Sequence, residues 1–332
     1  MNKDLFFKYG RIIIPLLFIF TLIINLSLGS VKIPLIEIFK SLFSDSQTHF
    51  LIWNLRFPRI LMGIISGAGL AVVGSVFQTI MKNPLVDPYL IGTSAGAGFG
   101  AVLAIYIAAS FYKYFSITLF SFFFSFLASF LTILLARRKG IIPITHLILS
   151  GVLISTTFSS GTILLINFSR RNITNAYVWL FGSLSGITFN DLIIPSISVI
   201  AFFVFSLLKS KELDTIAIGE EEAKILGVEV EREKWIFYLF GAFVISTIVS
   251  KVGIIGFVGL IIPHAARILT GSKHKYSLIG SFLLGGVFLS FSDTIARTIV
   301  SPIEIPIGVI TSFIGAPLMF VLLKRGVSKW YF

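Results

Sequence analysis

An all-helical integral membrane protein with about ten transmembrane helices is the fold this sequence predicts, on three observations. Mean hydropathy is +0.97 and only 13% of residues are charged, against 35 Phe in 332 residues. That is too little polar surface to coat a soluble globule of this size. Apolar runs recur that are long enough for a hydrocarbon core of about 30 Å, which takes roughly 20 helical residues. The basic residues, finally, are distributed as the positive-inside rule requires of a chain that crosses the membrane many times.

The spans fall at 11–30, 58–80, 90–111, 114–136, 144–167, 190–208, 235–250, 253–270, 277–296 and 306–323. The first follows the basic start "MNKDLFFKYGR", as a signal peptide would. Its apolar run is too long for one and has no small-x-small cleavage site, so it is read as a retained helix. The second and third carry small residues four apart, Gly63 and Gly67, then Gly92, Gly96 and Gly100. That spacing lets helix backbones approach closely in lipid. "GAGFG" at 96–100 is no phosphate loop, since no strand precedes it and no GxxxxGK[ST] exists in the chain. The fifth contains "SGVLISTTFSSGT", which sets Gly151, Ser155, Ser159 and Thr162 on one helical face. That stripe either lines a water-filled path or packs against a neighbour with its hydroxyls bonded back to the helix. In the ninth, Asp293 and Arg297 are four apart and so share a face, and Glu304 follows near the start of the tenth. Ionisable groups at membrane depth are costly. They serve here either as proton carriers or as locks between helix ends.

The longest stretches between spans are 31–57, 168–189 and 209–234. None is long enough for a soluble domain, so residues 1–332 are read as a single transmembrane domain. "VKIPLIEIFKSLF" mixes apolar and charged residues at near-helical spacing, as in a helix lying at the interface or capping the bundle. With the N-terminus placed in the cytoplasm, twice as many of the 27 Lys and Arg residues fall inside as outside. Both termini are then cytoplasmic, with Arg137, Arg138, Lys209, Arg325 and Lys329 inside. Arg56, Arg59, Lys113, Arg170, Arg171 and Arg297 lie outside. The expected location is the inner (plasma) membrane, and the +12 net charge reads as topology, with no nucleic-acid partner.

Catalysis finds little to build on. There is no cysteine, and His49, His146, His264 and His274 are scattered, without HExxH or metal-ligand spacing. No catalytic or metal site is expected in the chain.

One hydrophilic stretch breaks the pattern. "IGEEEAKILGVEVEREK", 218–234, holds six of the 15 acidic residues. Gly219 is an acceptable N-cap, Glu220, Glu221 and Glu222 oppose the helix dipole, and Gly227 stands where a left-handed C-cap belongs. A helix of about seven residues results, roughly 10 Å long, too short to be stable in water alone. Ala223, Leu226 and Val230 give it one apolar face, for the bundle or for a partner. A solvated loop is the alternative.

Six strings in order resemble one family, the ABC importer permeases for iron-siderophores, haem and vitamin B12. They are "LRFPRILMGIISGAGLAVVGSVFQTIMKNPLVDPYLIGTSAGAGFGAVLA" (55–104), "WLFGSLSG" (179–186), "AIGEEEAKILGVEVER" (217–232), "IGFVGLIIPHAARILTG" (255–271), "SDTIAR" (292–297) and "EIPIGVITSFIGAP" (304–317). The resemblance covers about residues 50–325. It implies a type II ABC importer permease that works as a pair of identical subunits, with two cytoplasmic ATPase subunits that use ATP and Mg and a soluble extracytoplasmic binding protein. No cofactor is implied for the chain itself. It also implies that residues 212–233 form the coupling segment, in which Gly219, Glu220, Glu221, Ala223, Leu226 and Gly227 meet the ATPase. Arg56, Arg59 and Arg297 would receive acidic residues of the binding protein. Ile254 stands where the family often has a proline at a bend, and Lys82 where arginine is frequent. The cargo implied is a metal chelate, with an oxyanion such as molybdate as the alternative within the family. A secondary transporter using protons through Asp293, Glu304 or His264 is the alternative outside it.

Overall fold

The computed structural model describes residues 3–29, 31, 33–41, 47–111, 116–168 and 173–324. Lys113, Arg170, Arg171, Arg325 and Lys329, whose sides the charge rule assigned, lie outside these. Helices occur in the order α1 (Lys3–Ser27), α2 (Leu35–Ser41), α3 (Gln47–Phe50), a π-helical turn (Leu51–Arg56), α4 (Phe57–Ile80), a 3-10 turn (Pro88–Ile91) and α5 (Thr93–Phe111). They continue as α6 (Ile117–Ala136), α7 (Ile144–Phe168), α8 (Ile173–Leu180), α9 (Phe189–Leu208), α10 (Ser210–Ile218), α11 (Glu220–Ile225) and α12 (Val230–Val252). The last are α13 (Val258–Thr270), α14 (His274–Thr298) and α15 (Ile307–Lys324). No named strand occurs among the described residues.

Among the described residues, seven helical segments are long and apolar enough to cross a membrane, and the shorter apolar stretches Thr93–Ala108, Val258–Thr270 and Ile307–Val321 fall on three more expected spans. All ten expected spans therefore correspond to helices. Exposed Leu149, Leu153, Leu164, Ile193 and Ile197 leave apolar surface of the kind that lipid covers. Of the boundaries that differ from expectation, two bear on the architecture. The second span starts at Gln47, not near 58, because α3, the π-turn and α4 run on as one helical segment. α13 starts only at Val258: α12 stops at Val252, Gly253 has φ 74°, and Phe257, φ 70°, caps α13. The interruption thus forms without the proline absent at Ile254.

Two units divide the described contacts, one of residues 1–75, 184–207 and 256–332 and the other of residues 76–183 and 208–255. In the first, α14 packs on α1, α13 and α15. Gly67 and Gly285 face each other so closely that a Cβ on either would overlap the other's carbonyl, and Gly63 lies against Ser290. The first helix is fastened by Arg11, which donates to the Thr270 carbonyl at 3.0 Å and stacks 3.5 Å over Tyr276. In the second unit, α6 packs on α5, α7 and α12. Gly96 and Gly100 abut the Phe124 and Phe120 carbonyls, as their spacing predicts. Gly92 instead caps the 3-10 turn with φ 89°, ahead of the helix. Phe99, Phe124 and Phe158 meet with centroids 5.1, 5.4 and 6.2 Å apart, joining α5, α6 and α7.

Candidate docking and coupling sites

Arg56 and Arg59 take their places from the π-helical turn at Leu51–Arg56. Such turns reset the helical register and recur at functional sites. Arg56 ends the turn and points back at the end of α1, donating to the Leu26 carbonyl at 2.7 Å and to those of Ser27 and Val31. Arg59, one turn on, is met by two carboxylates. Nε donates to Asp293 Oδ2 at 2.9 Å and Nη2 to Oδ1 at 2.8 Å, while Nη1 donates to Glu304 Oε1 at 2.7 Å. Arg297 donates to the Asn25 carbonyl at 2.7 Å and to Thr294 at 3.1 Å.

Asp293 and Arg297, four apart on α14, also form an ion pair, though one without a hydrogen bond. Their closest approach is 3.7 Å, and Asp293 spends its hydrogen bonds on Arg59. Three guanidiniums against two carboxylates leave the cluster net positive. It lines a cleft of about 300 Å³ with Asn54, Leu55, Ser185 and Thr188. Only 13% of the Arg59 side chain and 5% of that of Arg297 is exposed, and Arg56 is likewise buried. The three expected docking residues are thus brought together, yet in this conformation they hold the chain's own groups.

The segment expected to couple, 212–233, lies in the other unit. α11 begins after Gly219, an extended N-cap without a side chain, whose vacant Cβ position is taken by the Glu222 carboxylate. It ends in a Schellman motif: the Val228 N–H donates to the Ala223 carbonyl at 2.9 Å and the Gly227 N–H to that of Lys224 at 3.0 Å, with Gly227 at φ 84°. Both caps fall where the sequence predicts them. The single apolar face does not. Ala223 and Val230 are buried with Ile216 and Val228, whereas Leu226 is 70% and Ile225 84% exposed. The left-handed residue at 227 ends the helical register, so Val230 belongs to α12 and the spacing from Ala223 is not carried through. Lys224 hydrogen-bonds Glu221 at 2.9 Å, which holds that carboxylate below its ordinary range and raises the lysine. Lys209 is raised in the same way by its 2.8 Å bond to Glu233.

The α7 stripe also divides. Gly151 is pressed on the Leu90 carbonyl and Thr162 is buried, its hydroxyl donating to Phe158 at 2.9 Å, so both serve packing. Ser155 is half-buried and Ser159 exposed. His264 is buried in α13. No group of three or more His, Asp or Glu is placed to hold a metal among the described residues.

Two features of the candidate sites escape the sequence. The carboxylate partners of Arg59 lie 234 and 245 residues away, beyond any local periodicity. Ile225 emerges as the most exposed apolar side chain of the coupling segment only once Gly227 has fixed the end of α11.

Comparison with known proteins accords with this architecture. The cobalamin import system permease protein BtuC of Halobacterium salinarum is 37% identical over 274 residues, covering 82% of this chain and 73% of that protein. The molybdate import system permease protein MolB of Haemophilus influenzae is 33% identical, covering 96% and 98%. A solved structure assigned to a metal-chelate type ABC transporter in an inward-facing conformation superposes with a TM-score of 0.84 at 31% identity, over 95% of this chain and 98% of that one. The sequence pattern of the FecCD transport family matches residues 17–325, and the chain is therefore a membrane transport subunit belonging to that family.

Proposed function

We propose that this chain is the permease subunit of a binding-protein-dependent ABC importer that moves a metal chelate inward, driven by ATP hydrolysis in a separate subunit. The observation that carries the reading is the family match over residues 17–325. The segment around α11 supports it, since α11 is a capped helix that leaves Ile225 and Leu226 largely exposed.

In this reading two copies of the chain pair, and α11 of each docks on one ATPase subunit through Glu221, Ile225 and Leu226. Ala223 and the caps Gly219 and Gly227 shape α11 from behind. Both termini face the cytoplasm. A binding protein delivers the cargo from outside, and its acidic residues exchange with Asp293 and Glu304 on Arg59, with Arg56 and Arg297 alongside. Such pairs orient docking more than they supply affinity. ATP binding biases an equilibrium between outward-open and inward-open bundles.

The cobalamin relative and the metal-chelate-type neighbour favour a chelate as cargo, and the molybdate relative supports an oxyanion importer as the second reading. Proteoliposomes holding the chain, the ATPase and the binding protein separate the two. Ferric citrate, a ferric hydroxamate, haemin, cyanocobalamin and molybdate are offered singly, and uptake is read as retained metal. ATP-dependent uptake of a chelate and not of molybdate is expected. Uptake of molybdate alone replaces the first reading with the second.

A further inference from the structure

Lys234 sits one turn into α12 with only 2% of its side chain exposed. A buried ammonium is tolerated only when its charge is met and its hydrogens are used. Nζ donates to Glu220 Oε2 on α11 at 2.9 Å and to Glu231 Oε1 on α12 at 2.9 Å. The second oxygen of Glu231 accepts the Ile142 N–H at 2.7 Å, two residues ahead of the start of α7. One turn further along α12, Tyr238 is fully buried with no hydrogen-bond partner for its hydroxyl among the described residues. Its ring lies edge-on to Phe77. The surroundings are thus largely apolar, which strengthens each charged hydrogen bond in the chain from Glu220 to Ile142.

Two other ion pairs of the segment differ. In Lys224–Glu221 and Arg232–Glu229 at least half of every side chain is exposed, and such pairs contribute little. The apolar contacts of α11 through Ala223 hold it against Ile216, Val228 and Val230 but are not directional. The Lys234 cluster adds a fixed attachment at the opposite end of α11 from the Gly227 turn.

We propose that Lys234 is a positioning residue that fastens the coupling helix both to the start of α12 and to the lead-in of α7, so that a displacement of α11 reaches two membrane helices together. The proposal rests on the coupling reading of residues 212–233 given above.

The absence of cysteine makes a clean test available. Ile141 and Glu222 are exposed, so Ile141→Cys and Glu222→Cys together are spin-labelled in the full chain in lipid nanodiscs, and the interspin distance distribution is recorded, first alone and then with the ATPase and ATP. Lys234→Met removes the hub, Glu220→Gln only its α11 arm, and Glu229→Gln an exposed pair. A single narrow distribution is expected for the parent and Glu229→Gln, and at least a doubled width for Glu220→Gln and Lys234→Met. With ATP the parent keeps its separation and Glu220→Gln does not. Should Lys234→Met fail to fold, Glu220→Gln carries the comparison. Widths equal to the parent in the Glu220 and Lys234 variants overturn the proposal. Failure of the ATPase to bind the parent chain leaves the widths of the chain alone readable and overturns the coupling reading instead.

Discussion

At Arg59 the decisive quantity is how differently its two carboxylate partners are exposed. The Asp293 side chain is 3% exposed and that of Glu304 39%. Removing one member of a buried pair leaves an uncompensated charge, so Asp293→Asn is expected to destabilise the chain by about 3 kcal/mol. Glu304→Gln, at the open side, should cost less than about 1 kcal/mol; thermal unfolding in detergent distinguishes the two. If an incoming acidic residue exchanges with Glu304, Glu304→Gln removes a competitor and strengthens binding-protein docking by about 0.5–1 kcal/mol, roughly twofold to fivefold. Affinity measured at low and high salt checks this, and docking weakened by the substitution would remove Arg59 from the interface. That Arg56, Arg59 and Arg297 are candidates was legible from their motifs. That they are occupied by Asp293, Glu304, Leu26, Val31 and Asn25 was not, because those contacts join residues brought together only by the packing of α1, α4 and α14.

Among the elements, α11 is the one whose ends the sequence defines best. Its caps follow from local chemistry: glycine at an extended N-cap, three glutamates at the positive helix end, and glycine at a left-handed C′ position. Gly227→Ala forces a side chain into φ 84° and is expected to cost about 1 kcal/mol, read as a lowered midpoint of unfolding. Ile225→Glu with Leu226→Glu should leave that midpoint unchanged, since both side chains are exposed, while abolishing ATPase binding in a pull-down from purified components. Unchanged binding would move the contact elsewhere on the segment. The Glu221–Lys224 pair has a lowered carboxylate pKa, so its small contribution is present above the ordinary carboxylate range and fades only as pH falls through the lowered value. Neutral-pH experiments on α11 are therefore unaffected by it. What the sequence concealed was the orientation of α11. Three apolar residues at helical spacing looked like one face, and only the chain reversal at Gly227 puts Val230 in another helix and turns Leu226 outward.

Across the whole molecule, the ten spans were legible because lipid imposes a length on each apolar run and leaves helices as the only way to satisfy the backbone. Errors gathered where that demand relaxes. At Gln47–Arg56 the helix continues as α3 and the π-helical turn beyond the apolar run. At Gly253–Phe257 two positive-φ residues interrupt a stretch whose hydropathy shows no break. Gly67 against Gly285 illustrates a contact foreseen in kind, since small residues four apart mark close helix approach, but not in partner. A Gly67→Leu substitution has no room beside the Gly285 carbonyl and Leu289 and is expected to abolish a folded chain in detergent, visible as loss of the monodisperse peak in size-exclusion chromatography.

The most direct measurement of the permease assignment is uptake into proteoliposomes with components left out in turn. Cargo is offered with its binding protein outside, and ATP is supplied on the ATPase side. The account predicts uptake only when chain, ATPase, binding protein and ATP are all present, with no ATP turnover by the purified chain alone. Uptake driven by a pH gradient in liposomes lacking the ATPase, or ATP hydrolysis by the isolated chain, would contradict it.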